Sequence, residues 1–128
     1  MAVRVLLVED DELVCCVMAE LLRDEGFEVH ETHDGDFAAS FINAQPAFDV
    51  LLTDVNMPGV MDGWDLADHA RGHCPNLPVI VVSGRANNVA RWRALGPLCT
   101  FFQKPCRIRD LTAEVLRLTG LEQAAVFT

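Results

Sequence analysis

The stretch LLTDVNMPGVMDGW, residues 51–64, decides how the rest of the chain reads. Residues 48–53 are mostly apolar or β-branched and predict a buried strand, which ends on a lone carboxylate, Asp54. Met57, Pro58 and Gly59 then break the backbone, and a helix is expected over residues 63–72 with Trp64, Leu66 and Ala67 inward. The same strand-then-helix unit recurs on both sides. Residues 3–8 predict a first strand; Leu13, Val14, Val17, Met18, Leu21 and Leu22 predict a helix over residues 12–25 that Gly26 stops. Residues 27–31 predict a second strand, and Phe37, Ala38, Phe41 and Ile42 a helix that ends before Pro46. After a loop at residues 75–78, the β-branched run 79–82 predicts a central strand. Asn87 or Asn88 caps a fourth helix that runs through Arg93 or Leu95. Residues 100–102 predict a fifth strand and residues 108–118 a last helix ended by Gly120.

Strands alternating with helices, without a linker, specify an α/β fold: a doubly wound parallel sheet with helices on both faces. One domain over residues 1–120 and a short tail, 121–128, account for the 128 residues. The formal net charge of -9 disfavours nucleic acid and anionic membranes as partners. The apolar runs are too short for a bilayer span, and the N-terminus lacks a signal-peptide cleavage site. A cytoplasmic location is therefore expected. The five cysteines are odd in number and show no CxxC spacing, so reduced thiols are expected, with no redox role for Cys106.

In an open parallel sheet, ligands bind beyond the carboxyl ends of the strands. Glu9, Asp10 and Asp11 follow the first strand, Asp54 the third, Ser83 and Gly84 the fourth, and Lys104 and Pro105 the fifth. Each has an ordinary reading when taken singly: a turn residue, a surface lysine, or, for Asp11, the start of a helix. Together they place carboxylates, a hydroxyl and an ammonium on one rim. Such carboxylates repel one another and are costly to desolvate, which a hard cation would relieve. Magnesium, or manganese in its place, suits Asp10 and Asp54 as direct ligands, with Glu9 nearby and the Asn56 carbonyl as a further oxygen. Around such a cation Asp54 is the candidate nucleophile for phosphoryl transfer, forming an aspartyl phosphate. Lys104 and Ser83 would compensate charge on the phosphoryl oxygens, and Gly84 would leave space for a phosphodonor or water.

With these residues in this order, the chain resembles the receiver domain of bacterial two-component response regulators over essentially its whole length. VRVLLVEDD carries the acidic pair Glu9 and Asp10, LLTDVNMPG the phospho-accepting Asp54, VVSG the switch hydroxyl Ser83, and the KP pair Lys104. Phe101 matches the aromatic that changes rotamer. The resemblance implies a flavodoxin-like five-stranded sheet of order 2-1-3-4-5 and a cis peptide bond between Lys104 and Pro105. It also implies magnesium-dependent phosphoryl transfer from a histidine kinase or histidine phosphotransfer protein to Asp54. Such a domain catalyses only its own phosphorylation and dephosphorylation. The surface formed by the fourth helix, fifth strand and fifth helix would then change its affinity for a downstream protein effector or a second copy of the chain.

Some residues depart from that pattern. MPGVMDG has one residue more than the commonest MPGMDG, which lengthens the loop before the third helix. Phe101 replaces a frequent tyrosine and has no hydroxyl to donate. Pro97 is placed to shorten the fourth helix, and Cys106 stands where a large apolar residue is frequent. Trp92, between Arg91 and Arg93, reads as core or as partner surface and is the leading partner-contact candidate. No spacing among His30, His33, His69 and His73 suggests a metal site. The alternatives to a phosphorylatable receiver are a constitutive binding module on the same fold, a small magnesium-dependent phosphohydrolase and a flavodoxin-like cofactor binder. The complete rim weighs against the first. The lack of an evident substrate pocket or cap domain weighs against the second, and acids where a phosphate loop belongs against the third.

Overall fold

The computed structural model describes residues 2–44 and 48–120. The tail expected over residues 121–128 lies outside the described residues. Five parallel strands, β1 (Arg4–Val8), β2 (Glu28–Thr32), β3 (Val50–Asp54), β4 (Val79–Ser83) and β5 (Cys99–Gln103), pair in the order β2-β1-β3-β4-β5. Five helices connect or follow them: α1 (Glu12–Asp24), α2 (Gly35–Ala44), α3 (Gly63–His73), α4 (Val89–Leu95) and α5 (Ile108–Thr119).

The alternation of side chains along each strand builds two cores. On one face Leu6, Val8, Leu51, Val79 and Val81 pack against α2 and α3, centred on Trp64, Leu66 and Ala67. On the other, Val5, Leu7, Leu52, Ile80 and Val82 pack against Cys15, Ala19 and Leu22 of α1 and Leu111 and Val115 of α5. All residues of β3 and β4 are buried, as central parallel strands require.

Element boundaries shift by a few residues from expectation, with consequences for the rim. Val3 falls outside β1, although it is buried and its carbonyl accepts from Glu28 N–H. Asp54 and Ser83 are the last residues of β3 and β4 rather than the residues beyond them, so both side chains sit on the rigid sheet edge. α2 starts at Gly35, and Asp34 accepts a hydrogen bond from Phe37 N–H. Asp11 caps α1, accepting from Leu13 and Val14 N–H, and Asn88 rather than Asn87 caps α4. α4 ends at Leu95; Gly96, at φ 78°, and Pro97 then form a single 3-10 turn, so the proline does shorten the helix.

The largest difference is on α1. Of the six apolar residues whose spacing predicts it, only Leu22 is fully buried. The inward face is made by the smaller Cys15 and Ala19 together with Leu22. Leu13, at 74% exposure, and Val14, Val17 and Leu21 form an apolar stripe open to solvent. Among the described residues, no helix is long and apolar enough to cross a membrane.

Candidate functional site

Parallel pairing brings the carboxyl ends of β1, β3, β4 and β5 to one edge. Val8 pairs with Thr53, Asp54 with Val82, and Ser83 with Gln103. The residue after each strand therefore shares that edge. Glu9 and Asp54 are nearly fully buried there, while Asp10 faces solvent. Ligand oxygens of Glu9, Asp10 and Asp54 all lie within 4.8 Å of one another.

Lys104 answers part of this negative charge. Its Nζ donates to Glu9 Oε1 at 2.9 Å and lies 3.5 Å from Asp54 Oδ1. Its own N–H donates to Ser83 O at 2.7 Å, which fixes the β5 exit against the end of β4. The bond between Lys104 and Pro105 is cis. Burial alone would depress the Lys104 pKa, but the hydrogen bond to Glu9 and the charges of Asp54 and Glu9 outweigh it and hold the ammonium above its ordinary value. Burial pushes the Glu9 pKa up, helped by Asp54, despite the bond from Lys104. Three carboxyl groups facing one ammonium leave an excess of negative charge, and the donors are all oxygen. That donor set fits a hard divalent cation such as magnesium.

Around Asp54, Val55 N–H donates to Oδ1 at 2.8 Å. The Ser83 oxygen accepts from Arg85 N–H at 3.1 Å, which leaves its hydroxyl proton available to a ligand. Asn56 is exposed in the loop immediately after β3. A Cβ at Gly84 would meet nothing within 4 Å, so the position after Ser83 is open to its surroundings. Phe101 is half-buried, its ring nearly parallel to Trp64 at a centroid distance of 6.2 Å. Trp92 is half-buried and donates from Nε1 to Cys99 O at 2.7 Å, so it belongs in part to the core. Burial raises the Cys106 thiol pKa.

Two residues away from the strand ends also shape the site. Gly63 is one: a Cβ there would lie 2.1 Å from Asp54 O, so α3 begins directly against the backbone of Asp54. Asp36 is another. Its Oδ2 accepts from Val60 N–H at 3.1 Å and would lie 2.5 Å from a Cβ on Gly59, whose φ is 93°. The lengthened loop is thus moored to the first turn of α2, with Val60 left 89% exposed.

Known proteins place this architecture. A family model, the response regulator receiver domain, matches residues 5–116. The chain belongs to that family. The receiver domain is 33% identical over 129 residues to the response regulator MprA of Mycobacterium tuberculosis, covering 98% of this chain and 55% of MprA. It thus spans about half the length of that relative. Among solved structures, a response regulator receiver protein from Sinorhizobium medicae superposes with a TM-score of 0.84 at 29% identity, covering 95% of this chain and 98% of that one. The receiver domain of the hybrid histidine kinase CckA gives a TM-score of 0.75 at 36% identity, covering 91% and 98%. The acidic cluster beside Lys104 is consistent with signalling through aspartate phosphorylation.

Proposed function

We propose that this receiver domain takes a phosphoryl group from a histidine kinase or histidine phosphotransfer protein onto Asp54. The observation that carries this is Lys104 Nζ standing between Glu9 and Asp54 on the edge where Asp10 also converges. A carboxylate oxygen of Asp54 attacks the phosphorus of a phosphohistidine; the P–O bond forms, the P–N bond breaks, and the imidazole leaves with a proton. Lys104 offsets charge on one phosphoryl oxygen and the Ser83 hydroxyl donates to another. Glu9, Asp10, Asp54 and the Asn56 carbonyl would hold magnesium or manganese, which supplies charge compensation at the transferring group. Attack of water on the phosphorus then returns the carboxylate and releases inorganic phosphate.

The apolar stripe on α1 supports a place for the donor. It borders a cleft of about 500 Å³ between α1 and α5, lined in part by Val14, Met18, Leu21 and Ile108 and reaching Lys104. A protein that presents a phosphohistidine to Asp54 lies over this cleft and covers Leu13 and Val17. The likeness to the receiver of a hybrid histidine kinase supports a donor of that class. Phosphorylation then changes how the α4–β5–α5 surface, with Trp92 beside it and Phe101 beneath, receives an effector or a second copy.

Incubation with acetyl phosphate and magnesium tests the chemistry by intact mass. One added phosphoryl group that disappears with a chelator is the expected result. No addition, or addition indifferent to the metal, contradicts the proposal.

A further inference from the structure

α4 is short and buries a single side chain, Leu95, so polar ties do much to set its position. One goes to β5, from Trp92 Nε1 to Cys99 O. The others go to α3. Arg91 Nη2 donates to Asp68 Oδ2 at 2.7 Å and to Asp65 Oδ1 at 3.2 Å, and Arg71 of α3 donates to Leu95 O at the far end of α4. Arg91 therefore clasps the half of α4 nearest the phosphorylation site.

α3 in turn starts on that site. Asp54 Oδ1 accepts from Val55 N–H, and Val55 O accepts from Gly63 N–H, the first residue of α3, at 2.8 Å. Asp62 and Asp65 close a capping box at this end: Asp65 N–H donates to Asp62 Oδ1 at 2.8 Å, and Asp62 N–H donates to Asp65 Oδ2 at 3.2 Å. Asp65 thus holds the loop end with one oxygen and Arg91 with the other. A continuous set of bonds runs from the Asp54 carboxylate through Val55, Gly63, its chain neighbour Asp62 and then Asp65 to Arg91.

We infer that Arg91 is a positioning residue that couples α4 to Asp54 through α3, a route separate from Ser83 and Phe101. This rests on Asp54 being the phosphoacceptor. A phosphoryl group on Asp54 competes for the oxygen that Val55 N–H now holds, and the start of α3 has no slack to absorb a shift at Asp54 or Val55 because Gly63 is already packed on both. Any displacement there moves Asp65, and Arg91 carries it to α4. Phe101, stacked on Trp64, touches the same helix but is not a link in this set of bonds.

Coupling along these bonds is a measurable quantity. Backbone amide shifts of the whole chain, recorded with magnesium before and after adding beryllofluoride, supply that measurement. In Arg91→Gln the shift changes at residues 89–92 are expected to fall by about half or more, while those at residues 54–56 and 63–65 persist. Asp68→Asn should lower them in the same direction. Arg91→Lys, which keeps a cation facing both Asp65 and Asp68, should restore them in part, which a loss of helix stability alone would not do. Changes at residues 89–92 as large in Arg91→Gln and Asp68→Asn as in the parent chain overturn the inference. An absence of any change near Asp54 in the parent chain instead overturns the phosphoacceptor reading on which it rests.

Discussion

At the scale of single residues, the rim works because unlike neighbours hold one another. Glu9 is buried against a raised pKa, and Lys104 is the group that makes its presence tolerable. Asp54, Ser83 and Lys104 were legible in the sequence because a parallel sheet sends the end of every strand to one edge, so position alone assembled them. Gly63 could be read as letting the third helix begin close by, but how tightly could not, because that depends on what lies opposite it in space. Adding a methyl group there drives it into the backbone at Asp54 and Val55, which a side-chain rotation cannot relieve. Gly63→Ala should cost about 1–3 kcal/mol or more of folding stability. Denaturant unfolding checks this; an unchanged midpoint would show that α3 does not start where described.

Helices and strands carry a second level of information, which the sequence discloses less evenly. The β-branched run of β4 read correctly, since almost any strand made of such residues is buried on both sides. The apolar repeat of α1 gave the helix but not its inward face, because Cys15 and Ala19 fill the sheet-side space and leave Leu13 and Val17 outside. A large apolar side chain on a helix is a weak sign of burial where small residues fit the interface better. The outward stripe leads to a separable effect. Val17→Asp should slow phosphoryl transfer from a phosphotransfer protein while leaving labelling by acetyl phosphate as it was. Rates from both donors, measured side by side, decide this, and equal losses with both would remove the stripe from donor docking.

A second element-level consequence lies between β5 and α5. The Thr100 hydroxyl donates to Glu114, which also accepts from Arg117 Nε at 2.8 Å. The Arg117 hydrogen bond, with help from Thr100 and against partial burial, holds the Glu114 pKa below its ordinary value. The folded state thus favours the charged form, so its contribution is present above the ordinary glutamate value of 4.5 and fades as pH falls through the lower folded value. Thermal unfolding across pH should show Glu114→Gln less stable than the parent at neutral pH, with the gap closing in acid. A gap that does not change with pH would mean that packing, not ionisation, is what the substitution disturbs.

At the scale of the whole molecule, nineteen acidic residues against ten basic ones leave a net negative chain. The carboxylates gathered at the strand ends face Lys104 alone among the cations described at that edge, and a divalent cation would complete the balance. Order, direction and layering of the sheet followed from alternating periodicity and from the family pattern, and the structure bears them out. The bonds from α3 to α4 did not follow, because Arg91, Asp65 and Asp68 lie in different helices and meet only after folding. If this edge makes an acyl phosphate, it makes it on one residue. Reducing the phosphorylated chain with tritiated borohydride converts an aspartyl phosphate to labelled homoserine, and peptide mapping then locates it. The label should fall on Asp54 and be lost in Asp54→Ala; label on Asp10, on another carboxylate, or undiminished in Asp54→Ala would contradict the account.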